Sequence, residues 1–258
     1  DIHPDGGFID TVFGGGNGCS VENDVGVLLN NTDLDNSHYP STLPDGFKGG
    51  RSENFVGTIF GGNNFSPMNT VPEIRLEKGN VKNVYGGGNE GEMTKKDFRY
   101  DICGNKVENI STYILSQSDK VTVTDSVFGG CRMSDIEGMA YVDIRQTSDE
   151  GIMYLYGGND VSGNVKGNTR VDISGGPGFR VWGGSNGRYD YAPVSYGLYN
   201  VYNFGTYDAE HPENGLLATA GKPSVDSTNV NLWGGTINAN IYGGGYAGDC
   251  GKTHVVVN

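Results

Sequence analysis

The feature that most limits how this chain can fold is a short motif repeated seven times: an aliphatic residue, an aromatic residue, then two or three glycines. The copies are Val12-Phe13-Gly14-Gly15-Gly16, Ile59-Phe60-Gly61-Gly62, Val84-Tyr85-Gly86-Gly87-Gly88, Val127-Phe128-Gly129-Gly130, Leu155-Tyr156-Gly157-Gly158, Val181-Trp182-Gly183-Gly184 and Ile241-Tyr242-Gly243-Gly244-Gly245. From aromatic to aromatic the steps are 47, 25, 43, 28, 26 and 60 residues. The short steps define a unit, and the long ones are a unit plus an insertion. A fixed period of this size marks repeat architectures, in which each unit buries its apolar face only by stacking on its neighbours.

A second element lies between the copies. Thr169-Arg170-Val171-Asp172-Ile173 and Thr228-Asn229-Val230-Asn231-Leu232 alternate apolar and polar residues. Ile74-Arg75-Leu76, Val121-Thr122-Val123, Val142-Asp143-Ile144 and Thr253-His254-Val255-Val256-Val257 are related. Alternation of period two is the signature of a half-buried strand. Gly-Gly pairs often follow, as at Gly175-Gly176 and Gly234-Gly235. Each unit therefore reads as a strand, a glycine turn, a second short strand, the aliphatic–aromatic strand and another glycine turn. Glycine, 44 of 258 residues, is expected at the corners, where a positive φ costs it little. It has no every-third-residue period, so collagen is excluded. Helix is disfavoured because glycine interrupts nearly every window.

Three strands and glycine corners in about 25 residues predict one coil of a parallel β-helix. The fold class expected is all-β, a parallel β-helix of about seven coils spanning residues 1–258 as a single domain. Insertions are expected at about 21–52 and 188–226. Gly234-Gly235-Thr236-Ile237, Ile241-Tyr242-Gly243-Gly244-Gly245 and Thr253-x-Val255-x-Val257 resemble right-handed parallel β-helix repeat proteins of bacterial secreted and surface type. The resemblance implies an adhesin-like or autotransporter-passenger-like chain at an extracellular or cell-surface location. The same fold also hosts polysaccharide lyases and hydrolases, so fold alone does not choose an activity. The chain begins at Asp1 within a repeat and ends on the strand Val255-Val256-Val257-Asn258. With no capping helix in the pattern, it is expected to be a trimmed product or a segment of a longer repeat protein.

The net charge of −13 argues against nucleic acid as a partner, and no apolar run of 18 residues is present. If the aliphatic residues of the alternating strand point inward, their neighbours form outward rows. One row reads Arg75, Thr122, Asp143, Asp172, Asn231, Val256, and the next Glu73, Lys120, Tyr141, Arg170, Asn229, His254. Asp143 and Asp172 are then stacked on adjacent coils about 5 Å apart. That spacing suits a retaining glycosidase pair, with a structural ladder neutralised by Arg145 and Arg170, or a bound cation, as the other readings. Asp135 and Glu137 are candidate calcium ligands or a solvated loop. No other cofactor is indicated. His3, His38, His211 and His254 form no catalytic or zinc pattern. Gly157-Gly158-Asn159-Asp160 lacks the nine-residue period of a calcium-binding glycine repeat.

The second insertion carries Tyr189, Tyr191, Tyr196, Tyr199, Tyr202 and Tyr207. Tyrosine gives a flat apolar face with a polar tip, suited to sugar rings or a protein surface. A loop packed back on the coils, or self-association through the loop, are the rival readings. Free thiols are expected at Cys19, Cys103, Cys131 and Cys250, with Cys103 and Cys131 the one pair considered for a disulfide. The function expected is a non-catalytic module binding a glycan or a host or cell-surface protein through Tyr189, Tyr191, Tyr196, Tyr199 and Tyr202. The alternative is a carbohydrate-active enzyme using Asp143 and Asp172 on the outer β-face.

Overall fold

A computed structural model describes residues 8–30, 55–189, 200–202, 216–218 and 221–258. The chain is all-β with a mostly parallel sheet. In chain order the strands are β1 (Phe8–Phe13), β2 (Gly26–Asn30), β3 (Phe55–Phe60), β4 (Glu73–Tyr85), β5 (Asp97–Tyr100), β6 (Lys106–Gln117), β7 (Val121–Phe128), β8 (Met139–Gln146), β9 (Ile152–Tyr156), β10 (Asn164–Ile173), β11 (Pro177–Trp182), β12 (Asn200–Tyr202), β13 (Leu216–Ala218), β14 (Ser224–Leu232), β15 (Thr236–Tyr242) and β16 (Asp249–Val257).

Two parallel ribbons carry the architecture. One runs β2, β4, β6, β8, β10, β14, β16, and the other β1, β3, β4, β7, β9, β11, β15. The seven aromatic motifs close the second ribbon, in register from Phe13 opposite Phe60 to Trp182 opposite Tyr242. The unit differs from the sequence expectation in one respect. The second short strand and the aliphatic–aromatic strand are continuous, as in β11, while a third face is reduced to single bridges linking Met68, Met93, Ile136 and Val165.

Strand alternation explains the core. The aliphatic residue of each motif points inward, so Val12, Ile59, Val84, Val127, Leu155 and Val181 meet Ile74, Ile114, Val142, Val171 and Val230 of the first ribbon in one cluster. The aromatic neighbour points to the other face. There Phe13, Phe60, Tyr85, Phe128, Tyr156, Trp182 and Tyr242 stack in one column, with centroids 4.6–5.5 Å apart and planes within 13°. Ring spacing this close follows from the strand spacing of about 4.8 Å.

The motif glycines serve a different purpose from the one expected. None of the glycines directly after the aromatics has a positive φ. A Cβ on Gly61, Gly86, Gly129, Gly157 or Gly183 would instead sit 2.2–2.4 Å from the carbonyl oxygen of the corresponding glycine in the next unit. Close backbone approach excludes any side chain there. Positive φ occurs at other turns, including Gly176 and Gly235.

The turns after the glycines are closed from inside. Asn63 and Asn159 are fully buried. The Asn159 Oδ1 accepts the Cys131 N–H at 2.8 Å, while Nδ2 donates to the carbonyls of Ser134 and Ser162 at 2.9 and 3.1 Å. Asn63 does the same for Gly16, Cys19, Ser66 and Pro67. One residue on, Asn17, Asn64, Asn89 and Arg132 form an outward row, each linked to the next at 2.8 Å.

The described parts of both predicted insertions are placed as follows, and the outward rows are corrected. The predicted insertion at 21–52 begins with β2, whose Val27 and Leu29 face the core, and residues 31–52 lie outside the described residues. The predicted insertion at 188–226 ends inside β14, and its described part includes an antiparallel pair, β12 with β13. Thr122 and Lys120 do not belong to the rows of Asp143 and Tyr141. Tyr113 and Leu115 of β6 take those places, because Val121–Phe128 pairs in the second ribbon. All four cysteines are free thiols: Cys19 and Cys103 are exposed, Cys131 is buried, and Cys250 is half-buried. Burial pushes the Cys131 thiol up to about 12.

Candidate functional site

The predicted acidic pair is juxtaposed. Asp143 of β8 lies opposite Asp172 of β10, and each is 1% exposed. Both carboxylates are committed to neighbours. Arg145 reaches Asp143 Oδ2 at 2.7 Å through Nη2, and Arg170 reaches Asp172 Oδ2 at the same distance. Asp172 also accepts from the Tyr141 hydroxyl at 2.8 Å and from Asn231 Nδ2 at 2.6 Å. The β5–β6 hairpin adds Asp101, which accepts from Arg170 at 2.9 Å, and the Tyr100 carbonyl, which accepts from Arg145 at 3.4 Å. Burial pushes the Asp143 carboxyl above the usual range, against the pull of Arg145. Asp143 Oδ1 has no hydrogen-bond partner among the described residues. Asp135 and Glu137, the other acids considered for a cation, surround the Lys166 ammonium, which bonds Glu137 and lies 3.3 Å from Asp135. Among the described residues, no group of three or more His, Cys, Asp or Glu is placed to hold a metal ion.

A more open site lies on the second ribbon, along the edge of the aromatic column. It is a groove of about 550 Å3, within the range of small-molecule sites. The side chains of Tyr85, Phe128, Tyr156 and Trp182 line one wall, and Tyr154 and Tyr246 stand beside them. Tyr154 lies 6.2 Å from Trp182 and Tyr246 lies 5.1 Å from it, both tilted, so their faces are not covered by the column. The polar lining is mixed: Asn83, Asp125, Ser126 and Asn186 together with Lys82, Arg180 and Arg188.

Asp160 anchors the floor. It follows the fifth motif and occupies the outward position that holds asparagine in other units. It is 1% exposed. Its Oδ2 accepts from Tyr85 at 2.9 Å, and its Oδ1 accepts from Asn186 and from Tyr189, both at 2.7 Å. Burial raises its carboxyl above the usual range, while those three donors pull it down. Burial and the Asp160 charge together raise the Tyr85 phenol.

Of the predicted tyrosines, Tyr189 is therefore at the groove, half-buried and hydrogen-bonded to its floor. Tyr202 contributes backbone to β12. Tyr191, Tyr196, Tyr199 and Tyr207 lie outside the described residues. The sequence reading missed Asp160, Tyr154, Arg180 and Tyr246. One signal was available. The residue two places past the first two motif glycines runs Asn17, Asn64, Asn89, Arg132, Asp160, Asn186, Tyr246, and Asp160 is the one acid in that row.

No protein-family model, curated protein or solved structure matches the chain. The groove's own chemistry therefore carries the functional argument.

Proposed function

We propose that this chain is a non-catalytic right-handed parallel β-helix module of an extracellular or cell-surface, adhesin-like protein, and that it binds glycan in the groove beside Tyr189. The observation that carries this reading is the groove itself. Ring faces at Tyr154 and Tyr246 stand among convergent donors and acceptors at Asn83, Ser126, Asn186 and Arg180. A pyranose presents the complementary surface, apolar C–H faces ringed by hydroxyls. The right hand is supported by the parallel ribbons, since connections between parallel strands of one sheet are right-handed in about 98% of cases.

Glycan-array screening followed by calorimetry tests the reading. Binding should fall at least about tenfold in Tyr154→Ala, which removes a half-buried ring, and in Tyr246→Ala, which removes an exposed one. Affinity unchanged in both variants would remove the groove as the binding site.

The juxtaposition of Asp143 with Asp172 supports a second reading, a polysaccharide lyase or glycoside hydrolase on the outer β-face. The arginine and tyrosine bonds on both carboxylates, with the Asn231 bond on Asp172, weigh toward a structural ladder. Release of reducing ends or unsaturated sugars from a polysaccharide panel, lost in Asp143→Asn, would establish the enzyme instead.

A further inference from the structure

The chain carries a net charge of −13, yet three exposed cations converge on its groove: Lys82, Arg180 and Arg188. Four other arginines among the described residues are neutralised internally. Arg75, Arg99, Arg145 and Arg170 each bond a carboxylate. None of the three groove cations has an ion-pair partner among the described residues.

Two of them are held by aromatic rings rather than by acids. The Arg180 guanidinium lies 6.0 Å from the centre of the Tyr154 ring. Arg188 lies 5.1 Å from the centre of Tyr246, and its Nη1 donates to that phenol oxygen at 2.6 Å. A ring under a guanidinium orients the planar fork without consuming its charge. The remaining N–H groups stay available for a bidentate partner.

The two acids of the groove, Asp125 and Asp160, offset only part of the charge of its three cations. Both oxygens of Asp160 are occupied from within the protein by Tyr85, Tyr189 and Asn186. Asp125 accepts the Ser126 hydroxyl at 3.1 Å. Lys82 lies on β4 and Arg180 on β11, three strand steps apart in the ribbon through β7 and β9. That places cations at the two ends of a run of about 14 Å.

Resting on the glycan reading above, we infer that this groove selects saccharides bearing an anionic carboxylate or sulfate group, read by Arg180 and Arg188 with Lys82 at the far end. The oriented guanidinium forks supply charge and planar geometry to the anionic group. The neighbouring tyrosine rings take the sugar face. Selectivity comes from the attraction that an anionic group gains at these guanidiniums and a neutral sugar does not, and it weakens as salt screens exposed charge.

An array of saccharides presented on shared cores as neutral, uronate-bearing, sialylated and sulfated members tests this, followed by calorimetric titration of each hit against its neutral parent at low and high salt. The anionic members should bind about tenfold tighter than the neutral parent at low salt. Arg180→Ala and Arg188→Ala should each weaken the anionic member about fivefold more than they weaken the neutral parent. Preference confined to carboxylated or to sulfated members identifies which anion is read, and supports the inference either way. Equal affinity for neutral and anionic members, or a preference untouched by both arginine variants, overturns the inference and leaves the glycan reading standing. No saccharide bound on the array overturns both.

Discussion

Asn159→Ala is the sharpest test of how the repeat is held together. The side chain is fully buried and bonds three backbone groups: the Cys131 N–H and the carbonyls of Ser134 and Ser162. Alanine strands all three. Each buried polar group left without a partner costs about 1–3 kcal/mol, giving about 3–9 kcal/mol before relaxation. A water entering the space vacated by the carboxamide restores part of that, so the expected loss is about 3–5 kcal/mol. Domains are typically stable by about 5–15 kcal/mol, so the variant should unfold at a much lower urea concentration. The control is Asn89→Ala in the outward row, where a half-buried side chain bonds Asn64 and Arg132 at 2.8 Å. Water replaces those bonds, and the loss should stay within about 1 kcal/mol. Urea unfolding followed by the fluorescence of Trp182 and Trp233 and by far-ultraviolet circular dichroism gives both values, and agreement of the two probes checks that one transition is being measured. Equal losses in the two variants, or less than about 1 kcal/mol for Asn159→Ala, would refute the argument that inward asparagines close the turns.

Two further outcomes are expected. Gly157→Ala places a Cβ 2.2 Å from the Gly183 carbonyl oxygen and should destabilise by more than about 1 kcal/mol, whereas Gly18→Ala, which meets nothing within 4 Å, should stay within about 0.5 kcal/mol; thermal unfolding of the pair checks this. Asp160 holds its proton more tightly folded than unfolded, so its contribution is fully present below the ordinary value of 3.8 and is lost as pH rises through the raised folded value. Melting temperatures measured from acid to neutral pH should therefore fall more steeply with rising pH in the wild type than in Asp160→Asn, and parallel curves would contradict the assignment.

The seven aromatic motifs and the period-two stretches made an all-β, parallel arrangement legible, because strand alternation assigns neighbouring residues to opposite faces whatever the distant contacts are. Val84 with Tyr85, or Val181 with Trp182, needed no further information. The Asp143–Asp172 juxtaposition was legible for the same reason, since both occupy one place in the repeat. Thr122 was misplaced because the 43-residue step holds two candidate strands. Only pairing with β4 and β8 selects Leu115 of β6 for that row, and Tyr113 for the row of Tyr141.

The sequence by itself determined the period, the inward aliphatic residues and the column of aromatics, which are local properties of strands. The tertiary structure decided what the spaces between units would tolerate and expose. Carbonyls approaching within 2.4 Å of a would-be Cβ explain the glycines after the aromatics. Residues far apart in the chain, Tyr85, Asp160, Tyr189 and Tyr246, meet at one groove because stacking brings equivalent positions of successive units into line, and distance along the chain carries no record of that meeting.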